Sequence, residues 1–193
     1  MTRLGILGGT FDPVHIGHLA VASQVHYELG LDAVLLVPAN AQPLKAAPTA
    51  SGSDRLAMCR AAIEGDPRLR ASDVDLARGG ATYSVDTLTD LRAQHPGAEL
   101  FFITGADSLA TLPQWKDYET LVTLATFVGV TRPGHSLTQL DAPHVLVPVP
   151  ALAVSSTDIR DRVRAGAPIR YLVPPAVAQY VDDHQLYLGG MHD

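Results

Sequence analysis

Short apolar segments that stop at glycine or proline alternate with helix-like stretches along most of this chain, and this alternation restricts its fold more than any other feature. The apolar segments are continuous rather than alternately polar, which is typical of parallel strands buried on both faces. They cover residues 3–7, 33–37, 100–104, 126–131 and 144–149. The pattern predicts an α/β fold in which a doubly wound parallel sheet carries helices on both faces. Ligands of such sheets bind beyond the carboxyl ends of the strands.

Helix signals fill the intervals between these strands. We predict helices over residues 16–29 and 84–94, one that begins at Ser53, and two that begin near Ser156 and Pro175. Gly30 stands where a glycine commonly ends a helix. Residues 38–52, which are rich in proline and alanine, form the longest predicted loop, and a long loop inside a compact fold is usually functional or mobile.

Length and composition restrict the class of protein. At 193 residues we expect a single domain over 1–193, with residues 188–193 as a loose tail. The chain is 47% hydrophobic and 18% charged, which is typical of globular proteins. The one cysteine, Cys59, allows no internal disulfide, and its spacing from apolar neighbours on a predicted helix places it in the core. Without a leader-like start or an apolar run of about 20 residues, we expect a cytoplasmic protein with no membrane partner.

The balance of charges argues against a broad nucleic-acid surface. Twenty Asp and Glu residues exceed fourteen Lys and Arg residues, for a formal net charge of −6. A site for a phosphate ligand must therefore be built locally, from backbone N–H groups, a few basic side chains and a divalent ion.

The segment after the first predicted strand, residues 8–18, reads Gly-Gly-Thr-Phe-Asp-Pro-Val-His-Ile-Gly-His. It matches neither the dinucleotide-binding fingerprint nor the phosphate loop of nucleoside triphosphatases. Its two glycines, Gly8 and Gly9, predict a tight turn at the end of the strand and let the main chain approach a ligand. His15 and His18 lie on about one face of the first helical turn, where free N–H groups and the helix dipole favour an anion. A capping histidine and a metal pair are the alternatives, but no third metal ligand stands beside them, so the phosphate interpretation is favoured.

A second polar segment, residues 155–160, reads Ser-Ser-Thr-Asp-Ile-Arg. One of its three hydroxyl residues should cap the helix that follows and leave N–H groups facing an anion. Arg160, one turn later, offers a fork of donors suited to phosphate oxygens. The alternative is an ordinary capped helix with Arg160 solvated or paired to a nearby Asp. The residues alone do not decide between the two.

The two segments resemble the G-G-[ST]-F-D-P-x-H-x-G-H and S-S-T-x-I-R signatures of the nucleotidylyltransferase superfamily, whose fold is Rossmann-like. Within that superfamily the chain resembles the bacterial nicotinate-nucleotide adenylyltransferases over about residues 3–188. The middle of the chain carries this narrower resemblance, through residues 79–83, Gly105-Ala106-Asp107, Trp115 and Arg132-Pro133-Gly134.

The resemblance implies that ATP and nicotinate mononucleotide react to give nicotinate adenine dinucleotide and pyrophosphate, by direct in-line attack on the α-phosphate. It implies that His15, His18 and Arg160 are catalytic, with His18 stabilising the α-phosphoryl group. Mg²⁺ would be carried mainly by the ATP phosphates, without a metal site in the protein itself. The ATP-binding residues implied are Gly8, Gly9, Thr10, Phe11, His15, His18, Gly105, Asp107, Ser155, Ser156 and Arg160.

The substrate-binding residues that the resemblance implies are Lys45, Thr82, Tyr83, Trp115 and Arg132. The turn over residues 79–83 can present successive N–H groups to a carboxylate, which suits nicotinate better than nicotinamide. Each of the others has an ordinary alternative: packing for Trp115, solvation for Lys45, a surface ion pair for Arg132, and helix capping for Asp107 of the ATP set. The family usually has histidine where this chain has Leu44.

Two other functions compete with this one. The chain could be an adenylyl- or cytidylyltransferase that uses another acceptor, such as phosphopantetheine, choline phosphate or glycerol phosphate. It could also be a regulatory module that binds a nucleotide without chemistry, although the two histidines and Arg160 are all present. Pyrophosphate release in the presence of different acceptors distinguishes all three.

Overall fold

The computed structural model describes residues 1–43, 46–131, 143–150 and 152–188. The strands are β1 (Arg3–Gly9), β2 (Ala33–Pro38), β3 (Leu69–Ala71), β4 (Glu99–Gly105), β5 (Thr126–Thr131) and β6 (His144–Pro148). The helices are α1 (Ile16–Leu29), α2 (Gly52–Ala62), α3 (Val74–Arg78), α4 (Ser84–Gln94), α5 (Ala106–Leu109), α6 (Tyr118–Leu124), α7 (Ser156–Arg164) and α8 (Pro175–Asp183), with a 3₁₀ turn over Leu112–Gln114.

The strands form one sheet in the order β3-β2-β1-β4-β5-β6, and every neighbouring pair is parallel. The chain first adds β2 and β3 on one side of β1, then returns to add β4, β5 and β6 on the other. The predicted α/β fold with a doubly wound parallel sheet is therefore confirmed. The reversal places a topological switch point between β1 and β4, where sheets of this kind bind ligands.

Helices cover both faces of the sheet because successive strand side chains point to opposite faces. One buried cluster joins strand residues such as Leu7 and Leu36 to α1, α2, α7 and α8. The other joins Ile6 and Phe102, among others, to α3, α4, α5 and α6. Cys59 is fully buried in the first cluster, as predicted, and burial raises the pKa of its thiol to about 12.

Several helix ends follow the local sequence signals. Gly30 ends α1 in the left-handed conformation, with φ of 56°, and its N–H bonds back to the helix. The helix predicted to begin at Ser53 begins one residue earlier, because Ser51 caps it by accepting a hydrogen bond from the backbone of Asp54. The short elements β3, α3, α5 and α6 were not predicted, because three to seven residues carry too little periodicity.

One local prediction needs correction. The expected turn at Gly8-Gly9 is absent, since β1 continues through Gly9 and the chain turns at Phe11, which has a φ of 50°. The two glycines are therefore extended residues that lack side chains, and they do not supply a left-handed turn.

Some predicted features lie outside the described residues. These are Lys45, Arg132 and residues 189–193 of the predicted tail. Within the described ranges, no helix combines the length and the apolar character needed to cross a membrane.

Candidate functional site: two cavities at the carboxyl edge of the sheet

Two neighbouring cavities open at the carboxyl ends of the strands. The first, of about 790 Å³, is lined by the β1–α1 connection, residues 46–49 and the first turns of α5 and α7. The second, of about 540 Å³, is lined by the start of α4, the end of β4 and the segment around Trp115. Gly8 and Gly9 line both cavities. A main-chain segment without side chains therefore lies where the two spaces meet.

His15 and His18 line the first cavity as a stacked pair. Their ring centroids are 3.7 Å apart and their planes differ by 24°. His15 occupies the capping position of α1, and its backbone N–H donates to Nδ1 of His18 at 3.2 Å. The ring of Phe11 meets His18 edge-on, with centroids 4.9 Å apart. The histidines thus stand at the helix start, as predicted, and one of them also takes the capping position that was considered as an alternative.

Burial keeps both imidazoles neutral. It lowers the pKa of His15 to about 4. Burial, together with the neighbouring His15, lowers the pKa of His18 to about 3. Because Nδ1 of His18 accepts a hydrogen bond, the neutral ring carries its proton on Nε2. His18 is therefore a neutral N–H donor at the cavity, and a bound anion would raise its pKa.

Gly17 makes room for the histidine pair. A Cβ at this position would lie 3.0 Å from Nδ1 of His15 and 3.1 Å from Cγ1 of Val154. Both contacts are too close for a side chain, so the glycine between the histidines allows the His15 ring to pack against the helix start.

The second polar segment forms the start of α7, at the wall of the same cavity. Ser155 is the N-cap and accepts a hydrogen bond from the backbone N–H of Asp158 at 3.1 Å, as predicted for one of the three hydroxyl residues. The hydroxyl of Ser156 donates to the carbonyl of Pro13 at 2.8 Å, and Arg160 donates to the carbonyl of Asp12 at 2.7 Å. These bonds connect the two polar segments, which lie about 140 residues apart in sequence.

Two buried polar atoms have no hydrogen-bond partner within the part of the chain that is described, namely Nδ1 of His15 and Nε of Arg160. Buried polar atoms are almost always hydrogen-bonded in folded proteins. Both residues line the first cavity. Arg160 also donates to the carbonyl of Asp12, so it is not simply solvated.

The other residues predicted to bind ATP also line the first cavity: Gly8, Gly9, Thr10, Phe11, Gly105, Asp107, Ser155 and Ser156. Asp107 lies exposed in the first turn of α5. That helix begins after Gly105 without a side-chain cap, so the alternative role of Asp107 as its cap is not observed. The hydroxyl of Thr10 is 3.0 Å from Oε1 of Gln42, which ties the first cavity to the connection after β2.

Trp115 lines the second cavity and also packs against the core. Its ring meets Phe102 and Phe127 edge-on, with centroids 5.9 and 6.4 Å away. Its indole N–H donates to the hydroxyl of Thr111 at 3.2 Å. The packing alternative and the predicted binding role are therefore compatible, because one part of the ring packs while the residue still borders the cavity.

Thr82 and Tyr83 line the second cavity as well, but the turn that holds them differs from the prediction. The backbone N–H of Thr82 donates to the carbonyl of Ala41 at 2.7 Å, so it is not free for a ligand. Its hydroxyl accepts from the backbone of Asn40 at 2.9 Å and keeps its own proton to donate. The donors that remain are this hydroxyl and the first turn of α4, which has no side-chain cap.

Charged groups at the second cavity were missed by the sequence reasoning. The ammonium group of Lys116 lies 4.4 Å from the ring centre of Tyr83 and 2.9 Å from a carboxylate oxygen of Asp86. Asp75, buried at the cavity wall, accepts hydrogen bonds from Thr87 and Arg78, each at 2.6 Å. Burial raises the pKa of Asp75 against the opposing effect of these bonds. Only the position of Lys116 next to Trp115 could have drawn attention to it.

Arg55 is a second residue that sequence reasoning missed. Arg55 lies on α2 with a relative exposure of 2%. Its guanidinium group donates to the carbonyls of Thr10 and Ala39 at 2.7 Å and to that of Ala50 at 3.3 Å. The guanidinium group thereby holds together the connections that follow β1 and β2. Burial lowers its pKa, and the charge of Asp12 opposes that effect. No motif in the sequence distinguishes it from a solvated helix arginine.

The described residues include no group of three or more His, Cys, Asp and Glu side chains that could hold a metal ion. The donors around the first cavity are N–H groups and a few side chains. Two carboxylates also line it: Asp107 is exposed, and Asp12 is buried and already accepts three hydrogen bonds. The donors fit an anionic ligand.

A doubly wound parallel sheet with a histidine pair and a serine-capped helix around one cavity defines a nucleotidyltransferase. The chain belongs to the cytidylyltransferase-like family, whose sequence model matches residues 6–162, and within it to the nicotinate-nucleotide adenylyltransferases. Proteins named nicotinate-nucleotide adenylyltransferase from Clavibacter michiganensis and Streptomyces coelicolor are each 51% identical to it over 188 residues. The alignments cover 96% and 95% of this chain and 94% and 100% of the relatives.

A solved structure of the Plasmodium falciparum nicotinic acid mononucleotide adenylyltransferase, complexed with NaAD, has the same fold. The two structures superpose with a TM-score of 0.80 and a sequence identity of 19%, over 97% of this chain and 98% of the other. The sequence-based assignment to this family is confirmed.

Proposed function

We propose that this protein transfers the adenylyl group of ATP to nicotinate mononucleotide, forming nicotinate adenine dinucleotide and pyrophosphate in NAD biosynthesis. The names of relatives that are 51% identical over nearly the whole chain support this activity. The single structural observation that carries the proposal is the pair of cavities that meet at Gly8 and Gly9. One cavity suits a polyphosphate and the other suits an aromatic ring, which the reaction requires side by side.

ATP would occupy the first cavity, with its phosphates against the start of α1 and the start of α7. Nicotinate mononucleotide would occupy the second cavity, with its phosphate directed toward Gly8 and Gly9. A phosphate oxygen of the mononucleotide then attacks the α-phosphorus. The new oxygen–phosphorus bond forms as the bond to the β-phosphate oxygen breaks, and the electron pair leaves with pyrophosphate. Such a transfer needs positioning and charge stabilisation rather than a covalent enzyme intermediate.

His18 is the donor to the α-phosphoryl group in this proposal. Its Nδ1 is fixed by the backbone of His15, so the Nε2 proton can point to the oxygens on which charge grows. A neutral, buried donor costs little reorganisation during the reaction, which is the condition for effective electrostatic stabilisation. We propose that His15 and Arg160 bind the remaining phosphates, because both side chains line the first cavity together with His18.

The divalent ion belongs to the substrate in this proposal, because the donors of the first cavity fit phosphate oxygens rather than a metal. We propose that Mg²⁺ enters with ATP and neutralises the pyrophosphate as it leaves. Asp107, which lines the first cavity just after β4, would contact the nucleotide. The use of ATP as substrate also leads us to propose a cytoplasmic location.

Selection of the second substrate would fall to Thr82, Tyr83 and Trp115. The Thr82 hydroxyl and the uncapped start of α4 can donate to the nicotinate carboxylate, and Trp115 can contact the pyridinium ring. Lys116, which is paired with Asp86, also lines this cavity and offers further N–H donors to the carboxylate. Lys45 and Arg132, which the family resemblance suggests as further contacts, stay predictions.

Pyrophosphate release from MgATP in the presence of different acceptors tests the proposal. We expect turnover with nicotinate mononucleotide, a lower kcat/KM with nicotinamide mononucleotide, and none with phosphopantetheine. Preference for phosphopantetheine would overturn the choice of substrate. Binding of ATP without pyrophosphate release from any acceptor would indicate a regulatory module.

A further inference from the structure

The end of the described chain reaches Asp12, which lines the first cavity. Tyr187 follows α8 and is buried at 5% relative exposure. Its hydroxyl donates to Oδ1 of Asp12 at 2.8 Å, across a separation of 175 residues in sequence. Burial, with the nearby charge of Asp12, raises the pKa of Tyr187 far above its usual value, so the hydroxyl remains a donor.

Asp12 uses the same carboxylate to hold a second segment of the site. Its Oδ2 accepts from the backbone N–H of Thr49 at 2.7 Å, and its Oδ1 accepts from that of Ala50 at 3.0 Å. Thr49 lines the first cavity as part of the segment over residues 46–49. The Asp12 carboxylate therefore sets the position of one wall of that cavity.

Asp12 also faces Arg160, the basic residue at the opposite wall. Nη1 of Arg160 donates to the backbone carbonyl of Asp12 at 2.7 Å and lies 3.8 Å from its carboxylate. One buried aspartate thus connects the C-terminal segment, the wall near residue 49 and the guanidinium group. Of the groups that Asp12 connects, Arg160 is the one proposed to bind the ATP phosphates.

We propose that Tyr187 is a positioning residue for the ATP cavity, which acts through Asp12 on Arg160 and on the wall over residues 46–49. This inference rests on the proposed function, because it assigns the first cavity to ATP. The second cavity does not include Asp12, Thr49 or Arg160. Loss of the Tyr187 hydroxyl should therefore affect the two substrates unequally.

Packing alone does not explain the hydroxyl of Tyr187. A phenylalanine would fill the same apolar space, whereas a buried hydroxyl costs free energy unless it is hydrogen-bonded. Besides Asp12, the described contacts of the hydroxyl include only the sulfur of Met58, at 4.0 Å. The hydroxyl is therefore specific to Asp12, and it holds a carboxylate that is also bonded to two backbone N–H groups.

The test is Tyr187→Phe, assayed with each substrate varied in turn. We expect kcat/KM for MgATP to fall by about three- to tenfold, the effect of one hydrogen bond, while KM for nicotinate mononucleotide stays unchanged. The matched control is Tyr180→Phe, because the Tyr180 hydroxyl donates to Asp54 at 3.0 Å outside the first cavity. The control should leave both kinetic constants unchanged. Thermal unfolding of both variants separates lost stability from lost positioning.

A double-mutant cycle keeps the inference falsifiable if Tyr187→Phe lowers stability. In an Asp12→Ala background, which lacks the acceptor, Tyr187→Phe should have little further effect on kcat/KM for MgATP. Additive losses would overturn the proposal, as would an equal loss for both substrates or unchanged kinetics in the single variant. Wild-type turnover of both substrates tests the proposed function separately, so failure of one proposal does not imply failure of the other.

Discussion

The two cavities are built in different ways. The polar groups of the first come mainly from two short segments of sequence, residues 8–18 and 155–160. These segments supply two histidines, two serines and an arginine at the starts of α1 and α7. The second combines a turn before α4, the end of β4 and the aromatic segment around Trp115. Helix starts concentrate N–H donors toward an anion, whereas the second cavity offers a ring surface and a few donors.

The difference separates two tasks within one reaction. In the proposed reaction the first cavity would meet charge that changes as the bonds form and break, so its donors must be fixed in advance. The second cavity would recognise a group that does not react, so its residues would contribute binding and selectivity. Substitutions at the first should therefore lower turnover or ATP use, and those at the second should change use of the mononucleotide.

The largest effect is expected for His18→Ala. Loss of one fixed donor to the transition state lowers turnover by about 10²- to 10³-fold, while KM for ATP changes much less. Steady-state kinetics with both substrates measure this. His184→Ala, outside both cavities, is the matched control and should be silent. Equal losses in turnover and ATP affinity would assign His18 to binding alone.

Arg160→Ala should have the next largest effect. A lost charge-assisted contact with the phosphates raises KM for ATP by about 10- to 100-fold, with KM for nicotinate mononucleotide unchanged. Arg164→Ala on the same helix, where Arg164 pairs with Asp161 at the surface, provides the control. A parallel rise in both KM values would contradict the division between the two cavities.

A smaller effect, on the other substrate, is expected for Trp115→Leu. Loss of the ring removes ~1–2 kcal/mol of contact with the pyridinium, so KM for nicotinate mononucleotide rises by about five- to thirtyfold while KM for ATP is retained. Tyr27→Leu, at an exposed aromatic residue outside both cavities, controls for loss of an aromatic side chain. If unfolding temperature falls and KM stays constant, Trp115 serves packing only.

A change of pH between 7 and 8 should have the smallest effect on turnover, because both histidines are neutral throughout that range. Stability should respond at lower pH. The pKa of His15 falls from 6.5 to about 4 on folding, and that of His18 from 6.5 to about 3, so below pH 6.5 the unfolded chain binds more protons. Stability of the ligand-free protein is then lost as pH falls from 6.5 toward 4.

Urea unfolding at pH 7 and pH 5 measures this loss. We expect the pair to account for on the order of 4 kcal/mol, with roughly equal shares from the two histidines. The double variant His15→Asn, His18→Asn should lose less stability over the same range. Equal losses in the variant and the wild type would show that the histidines are not held neutral by burial.

The sequence predicted the first cavity better than the second, for a physical reason. Residues 8–18 and 155–160 each start a helix, so local patterns reveal both the helix and the donors at its start. The parallel sheet then brings the two starts to one edge, which the strand pattern also predicts. These patterns predicted that His18 and Arg160 lie at one edge of the sheet, and the family resemblance assigned both to one phosphate site.

Contacts between distant segments could not be predicted in this way. Whether the N–H of Thr82 is free depends on the carbonyl of Ala41, and Asp12 receives its partners from residues 49, 50 and 187. Buried Arg55 resembles any helix arginine until its three carbonyl partners are placed. Such bonds depend on how loops pack against each other, which no local periodicity encodes.

The bare main chain at Gly8 and Gly9 has a consequence for the end of the catalytic cycle. A dinucleotide formed across it fills both cavities at once, because its two halves remain joined over the glycines. The product should then inhibit competitively with respect to each substrate. A new ATP molecule could bind only after the whole dinucleotide has dissociated.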